Sequence, residues 1–306
     1  MELNLQNPLT SHDDLQYDGV SALFSNESDH SPSLLSVVSS DFRFSIRRSV
    51  FSLLSHARLN YDIDPFIVYL SVNYVDRFLS KQQILEKRPW ISRILVVASL
   101  SLAAKMTNVD LSISLSNLQR EEGFEFDVQS VHRMEKILLS TLQWRMRSIT
   151  PFSFLQFFIS VSKIEDSSSL ANCLKHRASD IIFNVQQEPK LLEYKPSIIS
   201  ASALLCSIQE LSPLALSSSE AAISTCEYVN KDALLECVGA MQEITSEGYE
   251  YEASVTASGT LTPISVLDGE QGTSSGSDEN GNFKRQRLNG FHDKRTLQIS
   301  QIHRQC

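Results

Sequence analysis

Residues Ile94 to Ala104 read Ile-Leu-Val-Val-Ala-Ser-Leu-Ser-Leu-Ala-Ala, with no charge and no large polar group. A helix of this composition has no face to give to water and has to be surrounded by other elements. It is also too short to cross a bilayer, which takes about 20 apolar residues. The run therefore predicts a central helix ringed by others. The 306-residue chain can build that ring, since it is 42% hydrophobic and 21% charged, a composition of packed domains. Its length fits one large or two mid-sized domains.

Helix punctuation places the other elements. Asp64-Pro65 combines a capping carboxylate with a proline at the first helical position, and the helix it opens runs to about Leu79. Pro89 opens the helix that holds the apolar run. Phe42–Arg58 carries Phe44, Val50, Phe51, Leu53 and Leu54 and reads as an earlier helix, with a short one near Ser114–Arg120. Asp127 is a cap for a helix reaching about Trp144, whose apolar positions Val128, Val131, Met134, Ile137, Leu138 and Leu142 step by three and four. Thr150-Pro151 marks a boundary. Five more helical stretches follow, at Pro151–Ser162, Leu170–Gln187, Pro196–Leu211, Ser217–Thr225 and Lys231–Thr245, the last capped by Asn230. No convincing strand pattern appears. The fold class is all-α, with two tandem five-helix units at 41–149 and 150–245.

Charge separates body from tails. Residues 1–40 hold six acids and no Lys or Arg, residues 246–282 hold seven acids and again no base, and residues 283–306 hold six bases against Asp293. The body between is nearly neutral although the whole chain is −9. The expectation is a disordered acidic leader over 1–40 and a disordered tail over 246–306, acidic and then basic. The start of the chain shows no basic-then-apolar signal peptide, so neither a membrane nor, with this charge, a nucleic acid is an expected partner.

Chemistry-bearing motifs are scarce. The chain has no glycine-rich phosphate loop, no GxSxG, no HExxH and no CxxC among its five cysteines. Cys206 and Cys237 sit in apolar helical runs and read as buried thiols. His132 and Glu135 are one helical turn apart, but a second such pair is missing. The sequence thus gives no catalytic residues, no metal and no cofactor, and the chain reads as a non-enzyme.

Several stretches carry a specific resemblance. Leu70-Ser-Val-Asn-Tyr-Val-Asp-Arg-Phe-Leu-Ser80, Ser99-Leu-Ser-Leu-Ala-Ala-Lys-Met106, Arg133-Met-Glu-Lys-Ile-Leu-Leu139 and Leu142-Gln-Trp-Arg-Met-Arg-Ser-Ile-Thr-Pro-Phe-Ser-Phe-Leu155 resemble, in order, the second, third and fifth helices of a cyclin box and the passage into a second box. Tyr194-Lys-Pro-Ser-Ile-Ile199 and Tyr228-Val-Asn-Lys-Asp232 extend the similarity, which covers most of 42–245 and is to plant D-type cyclins. What the resemblance implies is two cyclin boxes. It also implies a regulatory subunit that binds and activates a cyclin-dependent kinase at the G1/S transition and promotes cell division, with kinase inhibitors as further partners and the nucleus as location.

Carried over residue by residue, Lys105 and Glu135 match the family's charged pair that holds the kinase, and Met106, Leu139 and Trp144 supply apolar surface beside it. Spacing alone favours plainer roles: Lys105 as a cation at a helix C-terminus, Glu135 as a solvated charge, Leu139 and Trp144 as core. Asp76 and Arg77 match side chains that tie helices together within the box and stay out of the partner surface.

Two departures stand out. The Leu-x-Cys-x-Glu motif that binds retinoblastoma-type pocket proteins is missing from residues 1–40, which places the resemblance nearest the sixth plant D subgroup. An ungapped alignment also puts Ser45, Ser49 and Ser52 where many cyclins carry an apolar substrate-docking stripe. In the tail, Lys284, Arg285 and Arg287 form a basic cluster of nuclear-import type, and Thr262-Pro263 is a proline-directed phosphorylation candidate. A rival reading of the same fold is a transcription-factor-like protein that binds DNA or polymerase components. It calls for a basic face and usually a zinc ribbon, and the sequence shows neither.

Overall fold

The computed structural model describes residues 17–32, 41–81, 90–162, 164 and 168–258. Its described residues form eleven α-helices and no strand. They are α1 (Tyr17–Asn26), α2 (Asp41–Tyr61), α3 (Pro65–Lys81), α4 (Trp90–Met106), α5 (Ser112–Glu121), α6 (Val128–Thr141), α7 (Phe152–Val161), α8 (Ser168–Val185), α9 (Pro196–Leu211), α10 (Leu216–Ser224) and α11 (Lys231–Ser258). Short 3-10 turns lie at Glu27–His30, Pro189–Glu193 and Pro213–Ala215. Helices α2–α6 make the first bundle and α7–α11 the second. The chain divides into two compact units, Met1–Glu247 and Gly248–Cys306. The described part of the second unit is the end of α11.

The capping chemistry works as its residue types dictate. Asp64 Oδ1 accepts from Phe66 N–H at 2.7 Å. Asp127 accepts from both the amide and the hydroxyl of Ser130, at 2.8 and 2.7 Å, and these bonds hold its carboxyl below the usual range. Asn230 Oδ1 accepts from Ala233 N–H at 3.0 Å. Each satisfies an amide that the helix itself leaves unpaired. Pro89 lies outside the described residues.

Helix α4 is the centre of the first bundle, in contact with α2, α3, α5 and α6. Its residues Ile94–Leu100 and Leu102–Ala104 are buried, as an apolar helix without a polar side requires. Helix α9 plays the same part in the second bundle, buried from Pro196 through Ile208 and touching α7, α8 and α10. Small residues line it, including Ser197, Ser200, Ala201, Ser202 and Ala203, and they let neighbouring helices approach closely.

Helix α3 joins the bundles. It is buried from Phe66 to Leu79 because α2 and α4 cover it on one side and α8 on the other. Asp76 does not pair with its neighbour Arg77. Its carboxylate receives Arg47 of α2, Nε to Oδ1 at 3.0 Å and NH2 to Oδ2 at 3.3 Å. The same guanidinium donates to the carbonyls of Gln186 at 2.6 Å and Gln187 at 3.0 Å, just past the end of α8. Arg77 donates instead to Ser148 Oγ at 2.8 Å and the Arg145 carbonyl at 2.9 Å, and Tyr74 OH donates to the Met146 carbonyl at 2.8 Å.

Three expectations need correction. Residues 17–30, expected within a disordered leader, form α1 and the turn Glu27–His30, with Val20 and Phe24 in the second bundle's core. The charge count hid this because Val20 and Phe24, one helical turn apart, are few among polar residues. Helix α11 continues past the expected end at 245 to Ser258. Helix α6 stops at Thr141, three residues before Trp144, because Gln143 and Trp144 adopt left-handed backbone angles, with φ of 54° and 60°.

Arg47→Met strands a carboxylate that is wholly buried, so it should lower folding stability by about 3–5 kcal/mol. Combining it with Asp76→Leu removes the unpaired charge and should recover much of that loss. Urea denaturation of the two variants measures both effects, and a loss under about 1 kcal/mol in the single variant would contradict the role given to the pair.

Candidate partner-binding surface

The C-terminal turns of α4 and α6 lie side by side, and the residues singled out in the sequence sit there. Helix α4 ends in a tight reversal. Thr107 N–H and Oγ1 both reach the Ala103 carbonyl, Asn108 takes a left-handed φ of 54°, and Val109 N–H returns to the Ala104 carbonyl at 3.0 Å. Asparagine tolerates that conformation better than most residues. The reversal leaves Lys105 at the rim of the helix.

Lys105 Nζ donates to both oxygens of Glu135, at 2.7 and 2.8 Å. The two ends differ in exposure: the lysine side chain is 55% exposed and the glutamate 9%. Glu135 is therefore not a solvated charge. It is a largely covered carboxylate held in place by a cation that still faces water. An ammonium has three donors, and Glu135 takes two of them.

The apolar part of the surface is assembled by backbone geometry. Leu142 N–H bonds to the Leu138 carbonyl, and Trp144 N–H reaches back to the Leu139 carbonyl at 2.9 Å. A bulky side chain on a left-handed backbone is uncommon and costs of order 1–3 kcal/mol, a cost the surroundings have to offset. Here the offset comes from Arg77 and Tyr74, which hold the carbonyls of Arg145 and Met146 just beyond the turn. The consequence is an indole thrown out of the core, 71% exposed. Trp144 shares an open groove of about 750 Å3 with Met106 and Leu139, both half-buried, and with Arg145, Met146, Arg147 and Ile149.

All five residues thus meet at one place, three in the groove and two in the adjoining ion pair. The groove has a wall that sequence reasoning missed, Asn26 and Asp29 from the α1 segment. The periodic reading of α6 also needs amendment, since Val128 and Ile137 are exposed and its covered side is Glu135 and Leu138.

Ser45 and Ser52 of α2 are exposed, and Ser49 donates to Ser92 Oγ at 3.2 Å. Among the described residues no three metal-ligating side chains converge, and no helix is long and apolar enough to cross a membrane. Burial pushes the Cys206 thiol up to about 12 and the Cys237 thiol up to about 11. Thr262, Lys284, Arg285 and Arg287 lie outside the described residues.

Two family signatures match the chain, "Cyclin, N-terminal domain" over residues 18–147 and "Cyclin, C-terminal domain" over 149–257. The chain belongs to the cyclin family, among the plant D-type cyclins. It is 40% identical to "Putative cyclin-D6-1" of Arabidopsis thaliana, over 88% of this chain and 90% of that one. It is 37% identical to "Cyclin-D6-1" of Oryza sativa subsp. japonica, over 90% and 84%. "Cyclin-D1-1" of Arabidopsis thaliana is 36% identical over only 66% of this chain and 62% of its own. The likeness to the sixth subgroup therefore reaches into segments that the likeness to the first does not. The N-terminal signature begins at residue 18, so it takes in α1 and supports counting that helix with the box. Cyclins are non-catalytic regulatory subunits.

In the folded cyclin Cys206 and Cys237 should not react with a thiol reagent at pH 8, where burial leaves almost no thiolate. Both should react once the chain is unfolded. Timed labelling read by peptide mass spectrometry tests this, and rapid native labelling of either thiol would contradict the burial described.

Proposed function

We propose that this cyclin binds and activates a cyclin-dependent protein kinase and so promotes the G1/S transition and cell division. The observation that carries the reading is the exposed Trp144 groove beside the Lys105–Glu135 pair. It is a single surface joining apolar contact area to a directed charge, the combination that anchors protein–protein contacts. Activation follows from position: the cyclin presses the kinase C-helix inward, which forms the kinase's own Lys–Glu ion pair and frees its activation loop. Kinase inhibitors that engage the complex are further partners. The basic cluster Lys284, Arg285 and Arg287 supports a nuclear location, and Thr262 is proposed as a phosphorylation site in the acidic tail.

A pull-down with purified plant cyclin-dependent kinases, followed by a histone phosphorylation assay, tests the reading. Wild type should bind and raise kinase activity. Trp144→Ala removes an exposed side chain and should weaken binding with little change in folding. Lys105→Ala and Glu135→Ala should weaken it by about 2–5 kcal/mol if the charge is desolvated in the complex. Lys105→Ala carries an added folding cost, because it leaves a covered carboxylate without its cation. Normal kinase binding by all three variants would remove the assignment of this surface.

A further inference from the structure

Glu27 belongs to a segment rich in polar residues, yet its side chain is only 1% exposed. Its Oε2 accepts from the Ser197 amide at 2.9 Å, and Oε1 lies 3.5 Å from Lys195 Nζ. Ser197 is the second residue of α9. The first, Pro196, has no N–H, and the preceding Lys195 provides no side-chain cap. The free amide at the start of the second bundle's central helix is therefore capped from a distant part of the chain. A carboxylate suits that place, because the amide hydrogen bond is charge-assisted and the helix dipole favours an anion there. The same segment is held a second time by Phe24. Its ring stacks on Tyr228 at 4.5 Å and meets Phe154 at 4.8 Å and Phe157 at 5.4 Å.

The residues flanking this anchor are the missed wall of the groove. Asn26 precedes Glu27 and Asp29 follows it, and both line the space shared with Met106, Leu139 and Trp144. The groove is thus composite. Its apolar floor comes from Met106 of α4, Leu139 of α6 and Trp144 in the turn beyond α6, and its wall is pinned to α9 of the second bundle. Asp29 adds an acid to a rim that otherwise carries Arg145 and Arg147.

We propose that Glu27 is a positioning residue for kinase binding: by capping α9 it holds Asn26 and Asp29 as the second wall of the Trp144 groove. The inference rests on the kinase-binding reading of that groove. It makes the affinity of the groove depend on a hydrogen bond that the buried Glu27 makes to the second bundle.

The test uses the full chain and one purified cyclin-dependent kinase that binds it, with affinities from surface plasmon resonance. The variants are Glu27→Ala, Glu27→Gln, Asp29→Ala, the double variant Glu27→Ala with Asp29→Ala, and Trp144→Ala. Glu27→Ala should weaken binding about tenfold, the scale of a lost helix cap. Glu27→Gln keeps a carbonyl oxygen for the Ser197 amide and should stay within about threefold of wild type. The double variant should bind no worse than Glu27→Ala, because an unpinned Asp29 is already lost to the groove. Hydrogen exchange at the Ser197 amide should speed up in the alanine variant and much less in the glutamine one.

Wild-type affinity in Glu27→Ala, with Trp144→Ala weakened, would overturn the positioning role and leave the groove reading intact. Additive losses in the double variant would also overturn it. Wild-type affinity in both Glu27→Ala and Trp144→Ala would overturn the groove reading and this proposal together. If Glu27→Ala does not fold, Asp29→Ala decides, and unchanged binding there overturns the proposal.

Discussion

The guanidinium of Arg47 is the junction on which the arrangement of the two cyclin boxes depends. It reaches four acceptors at once: both oxygens of Asp76 and the carbonyls of Gln186 and Gln187. Three separate segments, α2, α3 and the end of α8, are thereby fixed to one planar group. An isolated buried ion pair is a poor source of stability, since desolvation offsets much of the attraction. This one has every acceptor placed for a donor, which is the condition under which such a pair is tolerated and under which it enforces a single geometry. Gln186 adds to the same joint by donating to the Tyr69 carbonyl at 3.2 Å.

From that joint the order propagates along α3. Asp76 holds Arg47 and, through it, the end of α8, while Tyr74 and Arg77 hold the segment that leaves α6, through the carbonyls of Met146 and Arg145 and the hydroxyl of Ser148. That segment bears the left-handed Trp144. The exposed indole is thus set by a buried helix that lines none of the groove itself but bonds the carbonyls of Arg145 and Met146 in its lining, a case of a strained surface residue maintained by the packing beneath it. The ion pair of Lys105 and Glu135 lies next to it and depends on the reversal at Asn108. The groove and its adjoining ion pair follow from how two helices end, and each ending is fixed by backbone hydrogen bonds together with side chains, Thr107 at α4 and Tyr74 and Arg77 beyond α6.

Much of this was legible in the residues. Asp64, Asp127 and Asn230 cap the helices they were expected to cap, because a short acceptor before an apolar periodic run has few other uses. The charge-free Ile94–Ala104 run became the centre of its bundle for the reason that it has no face to expose. Lys105 and Glu135 were matched to the family's charged pair, and the structure bonds them to each other. Asp76 shows the limit. Its charge was expected to be structural and is, yet its partner is Arg47, 29 residues earlier, and nothing in the spacing of the two marks them as neighbours. The α1 segment was read by composition as a leader, and composition is blind to Val20 and Phe24, which enter the second bundle's core, Phe24 among Phe154, Phe157 and Tyr228.

Sequence alone determined the helical class, the two-box order and most helix starts. These are local properties: a cap is decided within four residues, and an apolar run demands burial wherever it lands. Tertiary structure decided which charges pair, that Trp144 faces outward instead of joining the core, and that Asn26 and Asp29 close the groove. Those outcomes depend on groups far apart in the chain meeting in a dry interior, where a hydrogen bond must be made or its absence becomes costly, and one residue's local preference does not carry that information.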